Sequence, residues 1–143
     1  MPRQKNMKTD KKETGRRGED IAADYLREKG YEILERNVHA GRGELDLVAR
    51  RETSLVFVEV KCRHATQGQN SPYGAPADAV DRRKQAMLVK TADEYLKRHP
   101  EFGELFPRID VIEVYLDRFD SPSAVEHYEN AVRKRRVRES ERV

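Results

Sequence analysis

The sequence predicts a single mixed α/β domain in which helices pack against a largely antiparallel sheet. Three observations carry that prediction. The length of 143 residues suits one domain. Residues 21–26 and about 77–98 carry apolar side chains at helical spacing, whereas 43–50, 55–62 and 109–116 are rich in β-branched and aliphatic residues. Hydrophobic residues make up 36 % of the chain, enough for a modest core when patterned in this way.

In chain order, residues 1–14 are basic, nearly devoid of apolar side chains and expected to be disordered. Thr14 can cap a helix, with Glu19 and Asp20 in its early turns and Ile21, Ala22, Tyr25 and Leu26 on its buried stripe. Gly30 is a natural stop. A strand over 31–38 follows, then a flexible turn at 39–43, then strands at 43–50 and 55–62 joined by four residues. Residues 63–77 form a polar loop, and a helix over about 77–98 buries Val80, Met87, Leu88, Ala92, Tyr95 and Leu96. Pro100, Gly103 and Pro107 break the chain before the strand at 109–116, and 125–132 adds a short edge strand. The order is α-β-β-β-α-β with one further strand, in a domain spanning 15–132. Residues 133–143 are expected to be a disordered basic tail.

Composition excludes several classes. No apolar run approaches the roughly 18–20 residues of a membrane span, and no secretory h-region follows the basic N-terminus. One Cys excludes a disulfide scaffold and a Cys-rich zinc site, and suits a reducing cytoplasm. The net charge is +3, with 1–14 at +3, 15–118 at −1, 119–132 at −3 and 133–143 at +4. The excess positive charge thus sits at the two ends of the chain, and composition alone does not establish nucleic-acid binding.

The informative region is the hairpin at 43–62. If 51–54 is its loop, Arg50 pairs with Leu55, Asp46 lies opposite Glu59 and Glu44 lies opposite Lys61. That register aligns Leu45, Leu47 and Ala49 with Val60, Val58 and Val56 on one apolar face. Facing carboxylates repel at about 5 Å. A hard cation such as Mg²⁺ would relieve them, since it typically takes one or two carboxylates plus phosphate oxygens. Lys61, on the same face, could orient a water or stabilise charge on a scissile phosphate. A half-exposed sheet would show the same alternation, with Glu44–Lys61 a surface ion pair worth little. Against that, Glu59 and Lys61 interrupt a run that otherwise reads as buried on both faces.

GELDLVA at 43–49, FVEVKCR at 57–63 and GRRGEDIA at 15–22 together resemble the YraN-like family of bacterial proteins, over roughly residues 15–131. That family is similar to archaeal Holliday-junction resolvases and the wider PD-(D/E)XK nuclease superfamily. The resemblance implies a restriction-endonuclease-like fold, a central mixed sheet flanked by helices. It implies Asp46 and Glu59 as metal ligands, Lys61 as the residue that activates water, and Glu19 as a helix acid brought toward the metal. Lys84 and Gln85 match polar residues that approach the site from the later helix. Leu45 stands where the superfamily often has Pro, a position that tolerates apolar residues.

The expected activity is Mg²⁺-dependent phosphodiester hydrolysis on DNA, branched DNA included, with Mn²⁺ as substitute. The alternative is a non-catalytic nucleic-acid-binding module or adaptor on the same fold. Arg63, Arg83, Lys84 and Gln85 are the candidate nucleic-acid contacts, and resolvase-like action would require a homodimer. Glu44 is read as a partner for Lys61, Asp110 as a structural partner of Arg108, and Cys62 as an inert core thiol. His39 and His64, near the hairpin ends, have no visible partner and are given no role.

Overall fold

The computed structural model describes residues 7–64 and 81–133. The elements are α1 (Met7–Glu28), β1 (Glu32–Ala40), β2 (Gly43–Arg51), β3 (Ser54–His64), α2 (Arg82–Arg98), β4 (Phe106–Leu116) and β5 (Pro122–Val132), with one 3₁₀ turn at Pro100–Phe102. The five strands form one sheet in sequence order. Three neighbouring pairs are antiparallel, while β3 and β4 run parallel. Parallel neighbours need a crossover, and α2 supplies it.

Each helix covers one face. Along β3 the side chains alternate, so Val56 and Val58 join Ala22, Ala23 and Leu26 of α1. Leu55 and Phe57 join Leu88, Ala92 and Tyr95 of α2. Strands covered on both faces read as continuous apolar runs, which is why β3 and β4 stand out in the sequence. α1 ends in a Schellman turn: Tyr31 N–H donates to the Leu26 carbonyl at 2.9 Å and Gly30 N–H to that of Arg27 at 3.0 Å. Gly30 has φ +91°, the left-handed conformation such a turn requires. α2 starts at Asp81, whose Oδ1 accepts the Lys84 N–H at 2.8 Å.

Several sequence expectations change. α1 reaches back to Met7, so Thr14 lies inside the helix and does not cap it, and residues 7–14 are helical. The Lys and Glu residues before Gly15 are good helix formers, and local propensity extends the helix without an apolar stripe. Residues 1–6, residues 65–80 (Val80 among them) and residues 134–143 lie outside the described residues, and with them most of the expected 63–77 loop and the expected basic tail. β3 continues through Arg63 and His64 because β4 pairs with it to the end, His64 opposite Leu116. β5 begins at Pro122. Met87, expected in the buried stripe of α2, is 39 % exposed, and Thr91 is buried in that stripe. Among the described residues no helix is long and apolar enough to cross a membrane.

Candidate active site

The β2–β3 ladder has the expected register, Arg50 opposite Leu55, and its pairing runs to Leu47 opposite Val58. Asp46 and Glu59 would form the next pair, but the strands part there. Instead the Asp46 side chain takes a main-chain bond, Val60 N–H donating to Oδ2 at 2.8 Å. β2 stays paired with β1 through Leu45 opposite Val38 and Gly43 opposite Ala40. The parting also ends the facial alternation inferred for β2: Leu45 packs into the α2-side core, while Leu47 and Ala49 pack under α1. Beyond the parting, pairing no longer dictates which residues face each other across the hairpin.

Four of the anticipated residues meet in this fork. Glu59 is buried, its side chain only 6 % exposed, and Lys61 Nζ lies 3.5 Å from its Oε1. Lys84, from the first turn of α2, reaches the same oxygen at 3.7 Å. Burial pushes the Glu59 carboxyl up to about 7 and the charge of Asp46 pushes in the same direction, against Lys84 and Lys61. Burial also raises Asp46, opposed by the Val60 N–H and both lysines. Glu19 approaches from α1: its carboxyl is raised by burial first and then by the charge of Asp46, while a hydrogen bond with Asn37 lowers it.

Asn37 went unnoticed in the sequence. It adopts φ +51° within β1, a left-handed conformation that Asn tolerates. The recorded β1–β2 pairs step from Arg36–Leu47 to Val38–Leu45, over Asn37 and Asp46. An Asn inside an otherwise alternating strand was the signal available. Its neighbour Arg36 holds Asp20 at 2.6 Å, fixing α1 to β1 one residue from Glu19.

The remaining candidates fall outside this cluster or take other partners. Glu44 contacts His39 at 3.7 Å and not Lys61, because β2 has already left β3. His64, read as having no partner, lies 2.5 Å from Asp120 in the β4–β5 turn. Arg63 follows Lys61 along β3 on the same face, Arg83 is exposed at the start of α2, and Gln85 N–H donates to the Asp81 carbonyl at 2.8 Å. Cys62 sits under α1, where a Cβ on Gly18 would fall 2.4 Å from its own Cβ, and burial pushes its thiol up to about 11. Asp110 pairs with Arg108 at 2.8 Å as expected, and also with His127 at 2.7 Å.

Chemically, the fork offers a buried carboxylate, Glu59, whose proton affinity is raised by the half-buried Asp46 beside it, and two ammonium groups at their edge. Hard carboxylate oxygens suit Mg²⁺, which commonly fills its other positions with water and phosphate oxygens. Among the described residues no group of three or more His, Cys, Asp or Glu side chains is placed to hold a metal. The carboxylates that could contribute to holding such an ion are Asp46 and Glu59, with the charge of Asp46 also felt by Glu19.

Comparison with known proteins finds one family profile, Uncharacterised protein family UPF0102, over residues 18–114. A UPF0102 protein of Syntrophomonas wolfei is 46 % identical over 122 residues, covering 84 % of this chain and 97 % of that protein. One from Caldanaerobacter subterraneus is 46 % identical over 110 residues, covering 77 % and 85 %. One from Clostridium botulinum is 40 % identical over 120 residues, covering 84 % and 94 %. Among solved structures, Pyrococcus furiosus SfsA in complex with Ca²⁺ matches with a TM-score of 0.35 and 16 % identity, over 76 % of this chain and 58 % of that one.

Proposed function

The chain belongs to the uncharacterised bacterial family UPF0102, and from that premise we propose that it is a Mg²⁺-dependent nuclease-type phosphodiester hydrolase acting on DNA, branched DNA included. The observation that carries the reading is the buried Glu59 carboxylate with the half-buried Asp46 acting on it, flanked by Lys61 and Lys84. Burial of like charges is unfavourable and is retained where a cation or a reaction uses it. The resemblance to PD-(D/E)XK nucleases and their restriction-endonuclease-like fold assigns the same residues.

In this reading Asp46 and Glu59 would hold the ion, and Glu19, whose carboxyl feels the charge of Asp46, would be the third carboxylate beside it. The bound ion would polarise a phosphoryl oxygen and lower the pKa of a water. Asp46 is oriented by the Val60 N–H, so a strand backbone fixes its direction. Lys61 Nζ, 3.5 Å from Glu59, would orient the attacking water, and Lys84 Nζ, 3.7 Å from the same carboxylate, would stabilise charge developing on the phosphate. Arg63 and Arg83, outside the carboxylate cluster, would be phosphate contacts for a bound strand.

The test is cleavage of branched and linear DNA with Mg²⁺ or Mn²⁺. Asp46→Ala and Lys61→Ala should each lose at least about 100-fold. Equal rates in all three proteins would assign the activity to a contaminant. A non-catalytic nucleic-acid-binding module is the second reading, favoured by the double ion pair that already neutralises Glu59. It requires that wild type bind DNA without cleaving it and that Glu59→Ala keep that affinity.

A further inference from the structure

On the α2 face, one helical turn beyond Lys84, the β1–β2 turn and α2 enclose a cleft of about 510 Å³. Gly41 and Arg42 form one wall, and Met87, Lys90 and Glu94 the other. The backbone of the turn lies close against the helix. A Cβ on Gly43 would fall 1.9 Å from Thr91 Oγ1, and one on Gly41 would fall 3.2 Å from Glu94 Cγ. The turn and the helix are therefore in direct contact beside the cleft.

Its walls combine features the fold itself does not need. Met87 is apolar yet 39 % exposed. Arg42 and Lys90 are exposed cations on opposite walls, and the lining adds Asp93, Glu94 and Lys97, of which Lys97 holds Glu94 at 3.7 Å. Gly43 is three residues before Asp46 on β2, about 10 Å along the strand. A nucleic-acid strand lying on the carboxylate pair would thus pass the mouth of the cleft.

We propose that this cleft receives an unpaired nucleotide of the substrate strand, its base against Met87 and its flanking phosphates on Arg42 and Lys90. The inference rests on the nuclease-type reading of the neighbouring site and names the substrate feature it selects. The volume lies within the roughly 300–1,000 Å³ of small-ligand sites. A thioether is a soft, polarisable partner for an aromatic face. A stacked, paired base could not enter without being extruded, so a base already unpaired at a branch or flap enters at least cost.

The test measures fluorescence anisotropy in Ca²⁺ at fixed salt, with three DNAs: a duplex, the same duplex bearing a three-nucleotide flap, and that flap made abasic. Wild type should bind the flap more tightly than the duplex and should lose about fivefold to tenfold when the flap bases are removed. Met87→Ala should abolish the difference between natural and abasic flaps while leaving duplex affinity unchanged. Arg42→Ala with Lys90→Ala should weaken flap binding about tenfold or more. Equal binding of duplex and flap by wild type, or a Met87→Ala protein that still discriminates against the abasic flap, overturns the cleft assignment alone. Failure of wild type to bind any of the three overturns the nuclease-type reading and the cleft with it.

Discussion

Glu59 is the residue on which the site depends. Its carboxyl is raised to about 7 by burial and by Asp46, so the folded protein holds that proton more tightly than the unfolded chain does. Between about pH 4.5 and 7 the folded state binds more protons, and stability falls as pH rises through that window. Glu59→Gln removes the buried charge and keeps the shape. It should stabilise the protein by on the order of 2 kcal/mol at pH 8, with a gain that shrinks toward pH 5. Urea denaturation at the two pH values measures this. An equal shift at both would mean that the ionised carboxylate is not strained.

Asp110 shows the opposite sign. Burial raises its carboxyl, but hydrogen bonds from His127, Arg108 and the Asn130 N–H outweigh that and hold it below its ordinary value. Its contribution is present above about pH 4 and is lost as pH falls through the depressed pKa. Asp110→Asn should cost about 3–5 kcal/mol at pH 7, because it leaves Arg108 and His127 facing a neutral amide in a buried setting. The acid unfolding midpoint should move correspondingly less in the variant than its neutral-pH stability does.

At the scale of elements, helix-to-sheet distance is set by single atoms. Gly18 brings α1 onto Cys62, where an added Cβ would lie 2.4 Å from Cys62 Cβ and 2.8 Å from its sulfur. Ala is the better helix former by about 1 kcal/mol, yet Gly18→Ala should destabilise by about 1–3 kcal/mol because the overlap forces α1 outward. Cys62→Ala should fail to rescue it, since Cβ remains, whereas Cys62→Gly should rescue it. Thermal melts of the four proteins decide between this contact and a general helix effect. Asp110 works at the same scale, tying the Asn130 N–H and His127 of β5 to β4 beside an irregularity in their pairing.

For the whole molecule, the sheet order places α1, β2, β3 and α2 around one fork, so ligand binding there should be felt globally. Saturating Mg²⁺, about 100 times its Kd, should add about 2.7 kcal/mol of stability, a rise in Tm of about 9 °C for a chain of this length. Asp46→Ala should abolish the rise and leave the metal-free Tm within a few degrees. A rise that persists in that variant would place the ion elsewhere.

The sequence by itself determined the element order, the hairpin register and the helix stop at Gly30, because apolar periodicity and left-handed glycines are local signals. It also placed Glu59 and Lys61 on one face of β3, since a strand alternates side chains regardless of what packs on it. Only the tertiary structure decided that β2 pairs with β3 from Leu47 onward and not before it, which gives Asp46 to the Val60 N–H, Glu44 to His39 and Leu45 to the α2-side core. Strand separation depends on what the helices wedge against the sheet, and no two-residue period encodes that. The same holds for Lys84 reaching Glu59, for Met87 lying exposed beside a stripe it seemed to share, and for Asn37 reaching Glu19. Each depends on where a helix docks, a matter of packing between residues far apart in the chain.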